Sequence, residues 1–383
     1  MGEAKKAKYR VGIIGTGGHG TRFARTFQLN PLTEVVAGVN PSQESLDLFC
    51  KRFNVPGYND YREMLEKEDI DIAAPILPVK PNPEVVIGCA RAGVKAIMCE
   101  KPIAGSLEKA DRMVEECRSR GIPLASGDMY RNSPNLWKAK EVIDSGELGE
   151  VQSINVYGSS NQASGQGCRR MTEMSLFAGD GDVDFVVGWV DGDAADTDRG
   201  TIDEWSDYDQ GVGGYVRYAN GVEAFIHHTG STTRPGIEVI CSKGEFQTDQ
   251  SSHNRMFKAD RGGEMEEIEG LFLPRDPGEA RSDYDEDGWQ FMRRRMVETV
   301  QSIVDALELG VEPRCSGEDL RRALEMAIAL RESHRRGMVP VKVPLEDRSL
   351  KIIPMRGRWI GRRLHAPYST EVWTERLHGM TNF

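Results

Sequence analysis

The sequence predicts an α/β protein in two parts: a parallel sheet wound with crossover helices, then an α/β unit whose sheet is mainly antiparallel. Three observations carry this. Through about residue 128, short apolar and β-branched runs alternate with helix-period segments, the rhythm of consecutive βαβ units. Beyond that point strand-like runs follow one another at short spacing, one pair joined by Asn220-Gly221, a two-residue hairpin signal. Two long amphipathic segments, 287–310 and 316–337, then lead into an irregular tail.

In order, residues 9–15 (YRVGIIG) read as a buried strand ending in glycine, and 19–29 as a helix with Phe23 and Phe27 four apart on one face. A second strand at 34–40 precedes a helix at 43–53, for which Ser42 is the candidate cap. A third strand, 69–77, is followed by a helix at 83–93 closing on Gly93; a fourth strand, 94–100, by a helix at 106–121; a fifth strand occupies 122–129. A linking helix is expected at 133–149. Strands are then expected at 150–158, 182–190, 211–219, 221–230, 236–243 and 244–249. Ser316, with Asp319 in the first turn, starts the last long helix. The expected division is a first domain over 1–128, a second over 129–345, and a tail over 346–383 that packs on the domains or on a neighbour.

The chain has 383 residues and a net charge of −11, an acidic balance that argues against nucleic-acid binding. No apolar run approaches a membrane span, and the N-terminus lacks the apolar core of a secretory signal. Lys6 stands where myristoylation of Gly2 would call for Ser or Thr. Seven scattered cysteines with no Cys-x-x-Cys pair suit reduced thiols in a cytoplasmic protein and give no reason to expect a metal. The stretch 180–209 holds ten aspartates but misses the calcium-loop spacing, so it reads as a solvated acidic loop.

Chemistry begins at GTGGHG, residues 15–20. Gly15, Gly17 and Gly20 form G-x-G-x-x-G directly after a strand and at the start of a helix, the context in which that pattern cradles a pyrophosphate on backbone amides. Thr16, Gly18 and His19 lie in the same turn. This is a Rossmann-type dinucleotide site. Twenty residues after Gly20, at the end of the second strand, Asn40 takes the place that meets the adenine ribose, with Ser42 beside it. Asn hydrogen-bonds a hydroxyl but carries no charge to repel a 2′-phosphate, and no arginine follows at 41–43, so the pattern leans mildly to NAD over NADP. Ligands of such sheets lie at the carboxyl ends of the strands, where Leu77, Pro78, Asn82, Glu100, Lys101 and Asp128 stand. A lysine partly out of water there has a depressed pKa and is suited to move the proton that accompanies hydride transfer at an alcohol carbon.

The segments VGIIGTGGHG, ILPVKPNPEVV, MCEKPIAGSLEKA and NLWKAKEVIDSGELGEV resemble the Gfo/Idh/MocA family of sugar and polyol oxidoreductases, closely over residues 9 to about 157 and loosely beyond. The resemblance implies a Rossmann domain followed by an α/β domain with an open, largely antiparallel sheet whose broad outer face serves oligomer contacts. It implies that Lys101, in Glu-Lys-Pro, is the catalytic lysine beside the nicotinamide, and that Arg131 and Pro134 lead into the linking helix. Family members usually carry Gly-x-His-x-x-Asp in the second domain. Here Gly167 holds the glycine place, Arg169 the histidine place and Thr172 the aspartate place, and Asn82 replaces a further family histidine.

Arginine stays protonated and cannot be a base. Three readings follow. Arg169, with Arg170, clamps a substrate carboxylate. Or Lys101 acts alone or with Tyr130 or a histidine of FIHHTG, His228 before His227. Or the pocket binds without redox chemistry. The expected activity is therefore NAD(P)-dependent hydride transfer at a secondary alcohol of a sugar, cyclitol or sugar acid, with Lys101 as proton donor and acceptor and Arg131, Arg169, Arg170 and Thr172 toward substrate. A glycoside-cleaving enzyme that oxidises its sugar transiently, and a non-catalytic sensor of cofactor and sugar, are the alternatives. The expected partners are a carbohydrate and further copies of the chain, with no nucleic acid and no membrane.

Overall fold

The computed structural model describes residues 8–158, 162–191, 209–227, 235–249, 253–259, 262–274, 289–354 and 356–359. The first half alternates as its pattern predicts: β1 (Tyr9–Ile14), α1 (Gly18–Leu29), β2 (Thr33–Val39) and α2 (Gln43–Phe53). Two short elements then appear that the sequence reading missed, β3 (Gly57–Tyr58) and α3 (Tyr61–Lys67). Two residues are too few to show a strand period. The start of α3 is nonetheless written in the chain, because the Asp60 side chain caps it by accepting from the Arg62 amide. The series continues with β4 (Ile72–Pro75), α4 (Asn82–Arg91), β5 (Ala96–Cys99), α5 (Leu107–Ser119) and β6 (Leu124–Ser126).

These six strands form one parallel sheet in the order β3-β2-β1-β4-β5-β6. The order reverses between β1 and β4, so the loops after those two strands flank the switch-point crevice where such sheets take ligands. β6 is shorter than expected. Gly127 and Asp128 leave the strand in a turn, closed by the Asp128 amide on Ser126 Oγ and the Tyr130 amide on Asp128 Oδ1.

The linking helix α6 (Pro134–Asp144) ends before the expected 149, in a turn with positive φ at Gly146 and Gly149. Then follow β7 (Val151–Tyr157), a π-helical turn (Ala163–Gly167), α7 (Cys168–Phe177), β8 (Val183–Asp191), β9 (Gly211–Tyr218), β10 (Glu223–His227), β11 (Gly236–Cys241), β12 (Gly244–Asp249), β13 (Asn254–Ala259) and β14 (Met265–Glu267). The chain continues through α8 (Trp289–Leu309), α9 (Gly317–Arg335), β15 (Val341–Lys342) and α10 (Arg356–Trp359). β13 and β14 were not expected. β14 is exposed throughout and shows no inside–outside alternation to read. The second sheet runs β14-β13-β12-β11-β7-β10-β9-β8-β15. It is antiparallel except where β10 lies parallel to β7.

α8 crosses back. Its Met296, Val300, Ile303 and Val304 are buried with Phe23 and Phe27 of α1 in one apolar cluster of the first sheet, each fully buried side chain of this size contributing about 1.5–3 kcal/mol. α9 lies against α7, β8 and α5, opened by the expected capping box of Ser316 and Asp319. All seven cysteines are free. Among the described residues no helix is long and apolar enough to cross a membrane.

Candidate functional site

The glycine turn sorts its three glycines by role. Gly15 has φ +103°, and a Cβ there would sit 2.3 Å from the Ile76 carbonyl of the neighbouring strand end. A Cβ on Gly20 would sit 1.9 Å from the Gly15 carbonyl, so that glycine brings helix and strand together. A Cβ on Gly17 would meet nothing within 4 Å. Gly17 therefore faces open space at the N-cap of the twelve-residue α1, a cradle that fits a pyrophosphate on the amides of Gly17, Gly18 and His19. Thr16 is buried behind the turn.

At the end of β2, Asn40 turns its amide on its own loop: Oδ1 accepts from the Ser42 amide at 2.9 Å, and Nδ2 lies 3.3 Å from Ser45 Oγ. Ser42 occupies the N-cap position of α2 without a side-chain cap bond. Leu77 and Pro78 follow β4, and Asn82, fully buried at the start of α4, donates to the Ile103 carbonyl at 2.9 Å. Asn82 thereby braces the Glu-Lys-Pro loop from behind.

The glycine turn and that loop are tied together. His19 Nε2 lies 2.9 Å from Glu100 Oε1, and the Lys101 amide donates to Glu100 Oε2 at 3.3 Å. Burial pushes the Glu100 carboxyl up, but His19, Lys101 and Arg358 together hold it below its ordinary range. Lys101 is half-buried, precedes a cis peptide to Pro102, and donates from Nζ to the Gly165 carbonyl at 3.3 Å. Its pKa is lowered, first by burial and then by the Arg358 charge, against the opposing pull of the Glu100 and Asp128 carboxylates.

Asp128 follows β6, and its charge acts on Lys101. It is buried, its carboxyl raised by burial, and its Oδ2 stands 3.2 Å from the Thr172 hydroxyl on α7. The Arg169 guanidinium lies 4.0 Å over the Tyr130 ring, and Arg295 of α8 lies 4.9 Å from the same ring. Tyr130 is thus held between two cations.

Two expected substrate residues are engaged elsewhere. Arg170 makes a buried 2.6 Å ion pair with Glu173. Arg131 is among the largest fully buried side chains; it pairs with both oxygens of Asp180 and donates to the carbonyls of Thr172 and Arg314. Its guanidinium ties α7 to α9, with Thr172 and Asp180 on one side and Arg314 and Asp319 on the other. His228 lies outside the described residues, and His227 is exposed, stacked on Tyr157 at 5.0 Å. Most of the acidic stretch, 192–208, and the tail from 360 also lie outside them. The expected solvated loop is corrected at both ends: Asp180 is the partner of Arg131, and Asp209 is buried. Sequence reasoning missed Arg295, Asp209 and Arg358. None sits in a motif, and each reaches the site from an element far away in the chain.

Residues 9–127 match the model of an oxidoreductase family with an NAD-binding Rossmann fold, GFO_IDH_MocA. The match covers the N-terminal unit, under a third of the chain. The same region is 30% identical over 146 residues, 38% of this chain and 44% of the relative, to dTDP-3,4-didehydro-2,6-dideoxy-alpha-D-glucose 3-reductase of Actinomadura kijaniata. It is 28% identical over 148 residues, again 38% and 44%, to myo-inositol 2-dehydrogenase of Thermotoga maritima. The chain thus matches less than half the length of these curated relatives. Over nearly the whole chain the fold is similar to that of an oxidoreductase from Agrobacterium radiobacter solved with NAD+, L-tartaric acid and magnesium, with a TM-score of 0.71, 18% identity, and 88% and 98% of the two chains covered. The N-terminal unit is accordingly a Rossmann unit for NAD(P). Among the described residues no group of His, Cys, Asp and Glu is placed to hold a metal ion.

Proposed function

We propose that the protein is an NAD(P)-dependent oxidoreductase acting at a secondary alcohol of a sugar, cyclitol or sugar acid, with Lys101 moving the proton. The observation that carries this is the bond of His19 to Glu100, which sets the Lys101 amine one residue from a contact with the pyrophosphate turn. Gly15, Gly17, Gly20, Asn40, Leu77 and Pro78 would hold the dinucleotide, whose nicotinamide gives or takes the hydride when bound. Lys101, with its proton affinity lowered by burial and by Arg358, takes the hydroxyl proton in oxidation and returns it in reduction. The relatives named for reduction of a deoxysugar nucleotide and oxidation of myo-inositol support this substrate class. Asn40 offers no cation to a 2′-phosphate, which favours NAD.

Arg169 and Arg295 both lie over the Tyr130 ring, with the Glu173 and Asp128 carboxyls acting on Arg169, and a guanidinium here favours substrates that carry a carboxylate. The test measures NADH formation from glucose and myo-inositol against glucuronate and galacturonate, with wild type, Arg169→Ala and Lys101→Ala. Arg169→Ala is expected to raise KM for the uronates about 10- to 150-fold, the worth of one charge-assisted hydrogen bond, and to spare the neutral substrates. Equal loss on both classes would sink the carboxylate clamp, and full activity in Lys101→Ala would sink the role of the amine.

A second copy of the chain is the proposed partner of the outer face of the second sheet. Phe185, Tyr215, Phe225, His227 and Tyr157 form a ladder of ring contacts at 5.0–6.5 Å across β8, β9, β10 and β7, on the side away from the helices, with Trp189 exposed beside it.

A further inference from the structure

The Lys101 amine donates to the second half of the chain at the Gly165 carbonyl of the π-helical turn. That carbonyl also accepts from Cys168 Sγ at 3.2 Å. A π-helical turn is a costly local geometry that recurs at functional sites, so something must hold it. Here the holder is a carboxylate. Asp209 Oδ2 accepts from Ser164 Oγ at 2.7 Å and from the Gly165 amide at 3.0 Å, and both its oxygens lie within 3.2 Å of the Ser164 amide. The backbone repeats the clamp, since the Ala163 amide donates to the Gln210 carbonyl at 2.9 Å and the Asp209 amide to the Ile353 carbonyl at 2.8 Å.

We propose that Asp209 is a positioning residue for Lys101: by gathering the donors of Ser164 and Gly165 it turns the Gly165 carbonyl toward the amine and fixes where the proton is taken up. Every group that Asp209 contacts is an N–H or O–H donor, so the carboxylate form satisfies the turn. Burial raises this carboxyl to about 6, with Ser164, Gly165 and Arg331 of α9 opposing, and the ion remains the main form at neutral pH. The neighbouring Cys168 thiol is pushed up to about 12 by burial, so it serves the same carbonyl as a neutral donor. Asp209 is reached from Lys101 only through the turn, which distinguishes positioning from direct proton exchange.

This inference rests on the proposed role of Lys101, and its test reads the amine without a substrate. Full-length protein is reductively methylated with carbon-13 formaldehyde, and the Lys101 signal is assigned by its loss in Lys101→Arg. Its titration is then followed in wild type, Asp209→Asn and the milder Ser164→Ala, with NADH affinity measured alongside. A turn that releases its carbonyl removes a hydrogen bond to the charged amine, so the Lys101 pKa is expected to fall by about one unit in Asp209→Asn and by less in Ser164→Ala, with NADH affinity within twofold of wild type. An unchanged Lys101 titration in folded Asp209→Asn overturns the proposal; should that variant not fold, an unchanged titration in Ser164→Ala does so. Failure of Lys101 itself would show separately, as hydride transfer surviving Lys101→Ala.

Discussion

Replacing Gly17 and Gly20 in turn by alanine separates folding from cofactor binding within one four-residue turn. Gly17 has φ −69° and ψ −176°, a conformation open to any residue, and its added methyl meets no protein atom within 4 Å. Alanine there reduces the freedom of the unfolded chain, worth about 0.4–1 kcal/mol of added stability and about 0.5–1 °C in Tm for a chain of this length. The same methyl projects into the cradle that the dinucleotide needs, and an overlap of this size costs about 1–3 kcal/mol, a loss of about 5- to 150-fold in affinity. Gly20→Ala is the converse. Its methyl would sit 1.9 Å from the Gly15 carbonyl, a backbone atom that cannot swing aside, so destabilisation of about 3 kcal/mol or more is expected. Thermal melts and NADH fluorescence titrations on the two variants read both quantities. Wild-type NADH affinity in a stable Gly17→Ala would refute the placement of the pyrophosphate, and a stable Gly20→Ala would refute the packing argument.

Arg131→Ala removes one partner of a buried ion pair and leaves Asp180 and Asp319 facing each other, so urea unfolding is expected to show a loss of about 3–5 kcal/mol. Because burial and Arg358 lower the Lys101 pKa, the neutral amine persists at lower pH than for an ordinary lysine; the oxidation rate is expected to rise with pH through that lowered value and level off, and reduction to fall over the same limb. A pH profile of both directions checks this, and a limb at the ordinary lysine value would contradict it. Phe225→Glu places a charge at the centre of the aromatic ladder and is expected to shift the protein to monomer by sedimentation velocity, with the melting curve little changed.

The parallel half of the fold was legible because each of its signals is local. Gly15 to Gly20 and Glu100-Lys101-Pro102 can be read within one turn of chain, and the bond of His19 to Glu100 joins the two across the end of β4. The second half was legible in its hairpins but not in its joints. Nothing near Asn155 or Phe225 announces that β7 and β10 run parallel, because the two strands are far apart in sequence and β8 and β9 come between them in the chain. Charge misled for a related reason. A run of aspartates reads as solvated, yet Asp180 and Asp209 are drawn inside by partners at Arg131 and Ser164 that no spacing rule connects to them. Arg131 shows the reverse, a residue placed by motif near the substrate whose guanidinium is used to hold helices together.

The electrostatics around the amine narrow what the chain can do with a proton. Arg169 cannot accept one, and Thr172 has no titration near neutrality. Beside Lys101, Arg358 carries an arginine's fixed charge, while the Cys168 thiol, pushed up to about 12 by burial, is neutral at working pH and adds none. Glu100 is held low by His19, Lys101 and Arg358 and stays ionised. Asp128 is the exception. Burial lifts its carboxyl, Lys101 and Arg169 pull it down, and its oxygen rests on the Thr172 hydroxyl. Loss of the proton from Lys101 removes the larger of those two opposing charge effects and so raises the proton affinity of Asp128 further. The two titrations are therefore coupled, each charge favouring the other.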